Sequence, residues 1–282
     1  MTASIRVVTV TYNSSDVLGD FLASLSEASS SPFEVTVVDN ASQDAEASRT
    51  IAEAHGARFI ALEDNLGYGS AMNRGVAAGP SADFLMLANP DLTLAPGAVD
   101  ALLAAAEVDP RSGALGPAIH NLDGSLYPSG RPLPSLRTGV GHALFSRSWP
   151  TNPWTRAYRT TLGAGRPTPV GWLSGACLFV RGDVYAQLNG FDERYFMYFE
   201  DVDLGRRIGL AGFQNVYVPQ ARATHHGGHS TSSEPGPMEQ AHHESAYRYL
   251  AEVYSGPLFL PLRAALRAGL RLRARGFSRP PR

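Results

Sequence analysis

Short apolar runs alternate with helical segments through the first 110 residues. Ile5–Thr11, Glu34–Val38, Arg58–Leu62 and Phe84–Ala88 are apolar or β-branched and have the length of buried strands. Between them, the segments near 15–28, 44–55 and 70–78 are rich in Ala, Leu and Glu at helical spacing. Alternation of this kind predicts an α/β fold, a Rossmann-like and mainly parallel sheet with helices on both faces. Ligands of such sheets bind beyond the carboxyl ends of the strands, so the polar residues that follow each strand carry the interest.

After Asp109 the pattern loosens. Gly116–Ile119 followed by Asn121-Leu122-Asp123-Gly124-Ser125 reads as a strand entering a tight turn. Residues 128–170 mix Pro, Gly, Ser and Arg with little periodicity, and so long a loop inside a compact domain is usually functional or mobile. Leu173–Val180 and Phe213–Val218 read as further buried strands and 239–254 as a helix. From Leu258 to Arg275, Leu258, Leu262, Leu266, Leu270 and Phe259 fall along one side and arginines elsewhere. The expected division is an α/β half over 1–110, a mixed half over 111–235 and C-terminal helices over 236–282.

Composition adds limits to this picture. With 282 residues, 44% apolar and 18% charged, the chain is globular and long enough to bury a sizeable core. A single cysteine, Cys177, excludes an intramolecular disulfide and fits a reducing compartment. The first strand begins without the basic and apolar regions of a signal peptide, and no stretch reaches the roughly 20 apolar residues that span a bilayer. A cytoplasmic protein is the expectation. The net charge of −2 hides an asymmetry, because seven arginines and no acid lie between Pro257 and Arg282. The acidic remainder argues against a nucleic-acid partner. The basic amphipathic tail has two readings. It lies on an anionic membrane, or it packs its leucines on the core or on a second copy of the chain as a homodimer.

Each strand end carries candidate chemistry. Strand one ends in Thr11-Tyr12-Asn13 and strand two in Asp39-Asn40-Ala41-Ser42. A carboxylate at the second tip suits the N3–H of uracil or thymine; the bland alternative is that these residues cap the following helices. The run Asn65-Leu66-Gly67-Tyr68-Gly69 opens a helix, where glycines let backbone N–H groups approach a phosphate, or simply complete a turn. Strand four delivers Asn89-Pro90-Asp91, and one carboxylate at a sheet edge is how Mg²⁺ or Mn²⁺ bridging two phosphates is held. Alone, the tripeptide is more often a plain turn. The second acidic cluster, Glu200-Asp201-Val202-Asp203, follows the aromatic run Tyr195-Phe196-Met197-Tyr198-Phe199. Helix capping needs one acid and not three, so a general base at the rim of an apolar pocket is the stronger reading. Finally, His225-His226-Gly227-Gly228-His229 offers an imidazole to a phosphate-bound metal, although the spacing does not match structural zinc.

Together and in this order, these segments resemble the family-2 inverting glycosyltransferases of the GT-A fold. Within them the resemblance is to the rhamnosyltransferase-like branch acting on polyprenyl-diphosphate-linked N-acetylglucosamine, and it runs from about Ile5 to Ser230. The resemblance implies a nucleotide site in which Thr11, Tyr12 and Asp39 hold the base and Asn65, Gly67 and Asn73 the ribose–diphosphate region, with Asn13 and Asn89 also among its nucleotide-binding residues. It implies Asp91 and His225 as ligands of Mg²⁺ or Mn²⁺, with Asn89 standing where the family carries a further acid. Asp201 becomes the catalytic base and Glu200 its rival, while Trp172, Ser174 and Gly175 fall where donor sugar and acceptor meet.

The activity so implied is a single displacement with inversion, moving L-rhamnose from dTDP-rhamnose to a hydroxyl of a lipid-linked saccharide in cell-wall or surface polysaccharide synthesis. The enzyme would work at the inner face of the cell membrane. A UDP-linked galactofuranose or other hexose is the alternative donor. A nucleotidyltransferase would carry a glycine-rich, basic signature at the first strand, which Val10-Thr11-Tyr12-Asn13-Ser14-Ser15 lacks. A non-catalytic nucleotide-sugar-binding module would not need the second acidic cluster.

Overall fold

The computed structural model describes residues 3–135, 165–226 and 235–277. Its first part follows the alternation of the sequence: β1 (Ile5–Thr11), α1 (Ser15–Ala28), β2 (Phe33–Asp39), α2 (Ala45–Ala54), β3 (Arg58–Ala61), α3 (Tyr68–Ala77) and β4 (Phe84–Ala88). β2 and β4 flank β1 in parallel, and β3 extends the sheet beyond β2. The carboxyl ends Thr11, Asp39 and Ala88 therefore reach one edge together. Alternate residues of β1 enter opposite layers: Ile5 and Val7 join the layer under α1, and Val8 and Val10 the layer under α3. The α1 stripe of Leu18, Phe21, Leu22 and Leu25 is buried at helical spacing. Each such side chain contributes about 1.5–3 kcal/mol when fully buried.

The second part comprises β5 (Leu92–Leu94), α4 (Ala98–Val108), β6 (Ser112–Asn121), β7 (Leu126–Tyr127), β8 (Gly130–Arg131), β9 (Thr168–Val170), β10 (Trp172–Leu173), β11 (Cys177–Arg181), α5 (Gly182–Gln187), α6 (Glu200–Leu210) and β12 (Gln214–His225). The main sheet runs in the order β3-β2-β1-β4-β11-β6-β12-β5, with β8 and β10 in a separate small ladder. β11 is antiparallel to β4 and β6, and β5 is antiparallel to β12; the rest of this path is parallel. One sheet thus crosses the division expected near residue 110.

Several elements depart from the sequence reading. α4 was not expected; its buried face is Ala98, Val99, Leu102 and Ala106, in which alanine gives little apolar contrast. The run Leu173–Val180 is not one strand. Its apolar pattern is continuous, but the backbone leaves the ladder at Ser174-Gly175-Ala176 between β10 and β11. β12 continues well past Val218, with an irregularity between Val218 and Arg222 where the apolar pattern stops. The Asp123-Gly124 turn is as expected: Gly124 has φ 79° and the turn joins β6 to antiparallel β7.

At the C-terminus, α7 (Pro235–Val253) packs through Tyr249 against Tyr195 and Val202. A 3₁₀ turn at Pro257–Phe259 leads into α8 (Leu260–Phe277). Arg263 Nη1 donates to the Ser255 carbonyl at 2.8 Å, and Arg267 lies 5.7 Å over the Tyr247 ring. Leu258, Phe259 and Leu260 are left 92%, 41% and 57% exposed. Among the described residues, no helix is long and apolar enough to cross a membrane.

Candidate active site

A cavity of about 260 Å³ lies at the carboxyl ends of β1 and β4, and nine of the residues singled out in the sequence line it. Tyr12 and Asn65 stand on the β1–β3 side. Asn89 and Asp91 follow β4, Ser174 and Gly175 occupy the turn before β11, Glu200 and Asp201 begin α6, and His225 ends β12.

Asp91 and His225 meet because β5 pairs antiparallel with the last residues of β12, setting His225 opposite Leu92. Asp91 Oδ1 lies 3.0 Å from His225 Nε2. His226 turns elsewhere: its Nε2 is 3.0 Å from Thr93 Oγ1, and its backbone N–H donates to the Asp91 carbonyl at 2.9 Å. His229 lies outside the described residues. Among the described residues, no group of three or more His, Cys, Asp or Glu side chains is placed to hold a metal. Asp91 and His225 therefore offer one oxygen and one nitrogen, a donor pair that suits a cation completing its shell with phosphate oxygens and water.

The backbone enters α6 through Tyr198 and Phe199, both left-handed at φ 65° and 66°. Such strain costs about 1–3 kcal/mol per residue and collects at functional sites. Asp201 is then fixed by two backbone donors, Gly175 N–H to Oδ2 at 2.9 Å and Val202 N–H to Oδ1 at 2.8 Å. Tyr68 Oη donates to the Gly175 carbonyl at 2.5 Å and steadies the turn from the opposite wall. A Cβ on Gly175 would sit in van der Waals contact, 3.4 Å from both Asp201 Cβ and Tyr68 Cε1.

The two neighbouring acids are in unequal surroundings. Burial raises the pKa of both. Glu200 is pushed up to about 8, by burial first and by the charge of Asp201 second. Its Oε2 is buried with no hydrogen-bond partner among the described residues. For Asp201 the two backbone donors and the Arg131 charge oppose the effect of burial. The backbone donors and Arg131 thus favour the charged form of Asp201, while the Asp201 charge favours the neutral form of Glu200. The third acid of the cluster is structural, since Asp203 receives Arg207 Nε at 2.6 Å.

A second cavity of about 330 Å³ shares Tyr127, Tyr198, Glu200 and Asp201 with the first. Trp172 lines this one, with its indole N–H donating to the Pro132 carbonyl at 3.1 Å. Asp201 thus stands where two cavities meet.

The remaining sequence candidates do not line the first cavity. Thr11 and Asp39 are fully buried; Thr11 Oγ1 donates to Asp39 Oδ2 at 3.0 Å and Ser42 N–H to Oδ1 at 2.9 Å. Asn13, at φ 50°, accepts from the Gln43 N–H at 2.8 Å and ties the first two loops together. Neither α1 nor α2 has a side-chain cap, so the capping alternative is not realised. Gly67, at φ 81°, is a close-approach position: a Cβ there would lie 2.0 Å from the Phe196 carbonyl oxygen. Asn73, expected at the ribose–diphosphate region, is not in the lining of the first cavity, and its amide bonds to the protein. Its Oδ1 accepts from Tyr185 Oη at 2.6 Å and the Phe191 N–H at 3.0 Å, and its Nδ2 donates to the Phe191 carbonyl at 2.9 Å.

Asn40, Tyr68, Tyr127, Arg131 and Tyr198 line the cavities and were absent from the sequence candidates. Asn40 and Tyr68 lie inside motifs already noted. Asn40 takes the place at the rim that Asp39 vacates: its Nδ2 donates to Asn65 Oδ1 at 2.8 Å and its Oδ1 accepts from the Leu66 N–H at 2.9 Å. Tyr198 lies in the aromatic run before the acids. Tyr127 and Arg131 come from a stretch without periodicity and gave no signal.

The sequence profile described as "Glycosyl transferase family 2" matches residues 6–181. Over 284 residues the chain is 48% identical to N-acetylglucosaminyl-diphospho-decaprenol L-rhamnosyltransferase of Mycobacterium tuberculosis (strain CDC 1551 / Oshkosh), covering 97% of this chain and 92% of that protein. Among solved structures, the mannosyltransferase PcManGT from Pyrobaculum calidifontis, in complex with GDP-Man and Mn²⁺, superposes with a TM-score of 0.58 at 17% identity, covering 97% of this chain and 71% of the other. GalNAc-T7 with UDP, GalNAc and Mn²⁺ gives 0.63 at 14% identity, covering 95% and 54%. These structural likenesses show the GT-A fold, and the profile and the sequence relative show the family: the chain belongs to glycosyl transferase family 2.

Proposed function

We propose that this glycosyltransferase moves L-rhamnose from dTDP-rhamnose to a hydroxyl of N-acetylglucosamine carried on a polyprenyl diphosphate, with inversion, in cell-wall polysaccharide synthesis. The observation that carries the reading is the position of Asp201, held by two backbone donors and set where the two cavities meet. The name and close similarity of the mycobacterial relative support the choice of sugar and acceptor.

In this reading the nucleotide-sugar occupies the first cavity, with Tyr12, Asn40 and Asn65 at its rim, and the acceptor enters the second. Asp201 takes the proton of the acceptor hydroxyl as that oxygen bonds to the anomeric carbon, and the bond from carbon to the diphosphate oxygen breaks. Attack from one side and departure on the other invert the configuration, so no covalent enzyme intermediate arises. Asp91 and His225 would hold Mg²⁺ or Mn²⁺, which supplies charge neutralisation at the leaving diphosphate. Exposed Leu258, Phe259 and Leu260 beside the arginine-rich tail support docking on an anionic, cytoplasm-facing membrane.

The direct test offers dTDP-, UDP- and GDP-sugars with Mg²⁺ or Mn²⁺ and a short-chain N-acetylglucosaminyl-diphospho-prenol, and reads the product by mass and anomeric NMR. A rhamnosylated product of inverted configuration is expected. Transfer from a UDP-hexose instead would overturn the donor, and a retained configuration would overturn the mechanism.

A further inference from the structure

We infer that the second cavity holds the acceptor by its diphosphate through Arg131, with the loop Pro132-Leu133-Pro134 as the lip over which the prenyl chain leaves. This rests on the acceptor class proposed above. Arg131, at the end of β8, lines the second cavity and not the first, so it is placed away from Asp91, His225 and the donor diphosphate.

Its setting is that of a cation awaiting an anion. The Arg131 guanidinium carbon lies 5.5 Å from the Trp172 ring centroid and 5.9 Å from that of Tyr127, so aromatic faces fix its direction. Nε donates to the Pro128 carbonyl at 2.8 Å. Among the described residues Arg131 has no carboxylate within ion-pair distance. The two outer nitrogens therefore present the planar fork that phosphate takes in two parallel hydrogen bonds.

The rest of the lining offers the remaining parts of such an acceptor. Asp201 supplies the base at one end, and Arg131 is near enough to it to oppose its raised pKa. Trp172 and Tyr127 give apolar faces for the C–H side of a sugar ring. Past Arg131 the chain continues as Pro132-Leu133-Pro134 along the same cavity, with Leu133 an exposed apolar residue. Hydroxyl-bearing sugar, dianion and hydrocarbon thus each find a matching group.

The test compares two acceptors, N-acetylglucosamine on a diphosphate with a short prenyl chain and uncharged octyl N-acetylglucosaminide, with the same donor and metal ion. The readout is the ratio of their kcat/KM values in the native enzyme, Arg131→Ala and Arg131→Lys, with nucleotide binding measured for each to show an intact first cavity. The native enzyme should favour the charged acceptor by about ten- to a hundredfold, the scale of hydrogen bonds to a charged group. Arg131→Ala should remove most of that preference, mainly through KM, and Arg131→Lys should keep part of it. An unchanged ratio in both variants would overturn the inference. So would equal losses on both acceptors, which would leave Arg131 acting only on the ionisation of Asp201. If Arg131→Ala fails to bind nucleotide, the lysine variant carries the same reading. A native enzyme that releases nucleotide from the donor but glycosylates neither acceptor would instead defeat the acceptor class itself.

Discussion

On the β1–β3 side of the first cavity, polar side chains are bonded to one another before any ligand arrives. Thr11 holds Asp39, Asn13 holds the second loop, and Asn40 holds Asn65 and Leu66. On the α6 side Asp201 is held by two backbone N–H groups, but its neighbour Glu200 keeps a buried oxygen without a hydrogen-bond partner among the described residues. The first wall is a fixed mould and spends its polarity on rigidity. The second holds two buried carboxyls with raised pKa values, as a surface meant to exchange protons does.

If that contrast holds, substitutions on the α6 wall strike chemistry and those on the β1–β3 wall strike binding. The largest effect belongs to Asp201→Asn, which keeps the size of the side chain but cannot accept the proton. Turnover should fall by about 10³–10⁴, the upper range for a general base, while nucleotide affinity stays within a few-fold. Near-normal turnover, measured with saturating donor and acceptor, would move the base elsewhere. Asp91→Ala comes next: about 100-fold in kcat is expected from losing stabilisation of the leaving charge. A second reading is independent of turnover. Titration with Mn²⁺ should strengthen nucleotide binding to the native protein and no longer do so in the variant. A variant that still responds to Mn²⁺ would remove Asp91 from the metal site.

Asn40→Ala tests the mould. It leaves the Leu66 N–H without its acceptor and frees Asn65. About 1–2 kcal/mol of stability should be lost and nucleotide affinity should weaken about tenfold, with kcat at saturation nearly unchanged. A fall in kcat with affinity intact would erase the distinction between the two walls.

The same contrast explains what the sequence revealed. The β1–β3 wall is local: each strand is an apolar run followed by its own polar tip, so Ile5–Thr11 and Phe84–Ala88 were legible to the residue. The α6 wall is assembled from afar. Asp91 and His225 are 134 positions apart, and Gly175 and Asp201 are 26 apart. Their meeting depends on β5 pairing with β12 and on a break in the run Leu173–Val180, neither of which periodicity encodes. The order of motifs pointed to Asp201 over Glu200 through family resemblance, but only the two N–H donors give the physical reason. The sequence gives no sign that the Asn73 amide fastens the Phe191 loop, because an asparagine beside a glycine-rich turn reads the same whether it faces a ligand or the protein.

Glu200→Gln gives the smallest effect and bears most directly on how the pair of acids shares its proton. A carboxyl whose pKa rises on folding from the ordinary value near 4.5 to about 8 binds its proton more tightly in the folded chain. Below about pH 4.5 both states are protonated and nothing is lost. Between there and about pH 8 the unfolded chain releases a proton that the folded chain retains, so stability falls as pH rises, by at most about 1.4 kcal/mol per unit. Glutamine cannot ionise and is free of this penalty. Urea unfolding at pH 5 and pH 8 should therefore show the native protein losing about 1–3 kcal/mol more than the variant between the two conditions. The dependence of kcat/KM on pH supplies the second half of the argument. With Asp201 as the ionised base, activity in both proteins declines as pH falls through the Asp201 titration. That titration should be little changed in the variant, because Glu200 keeps its proton throughout it and the amide is likewise uncharged. Identical stability profiles would place the proton on Asp201 in the resting protein, and the roles of the two acids would then have to be exchanged.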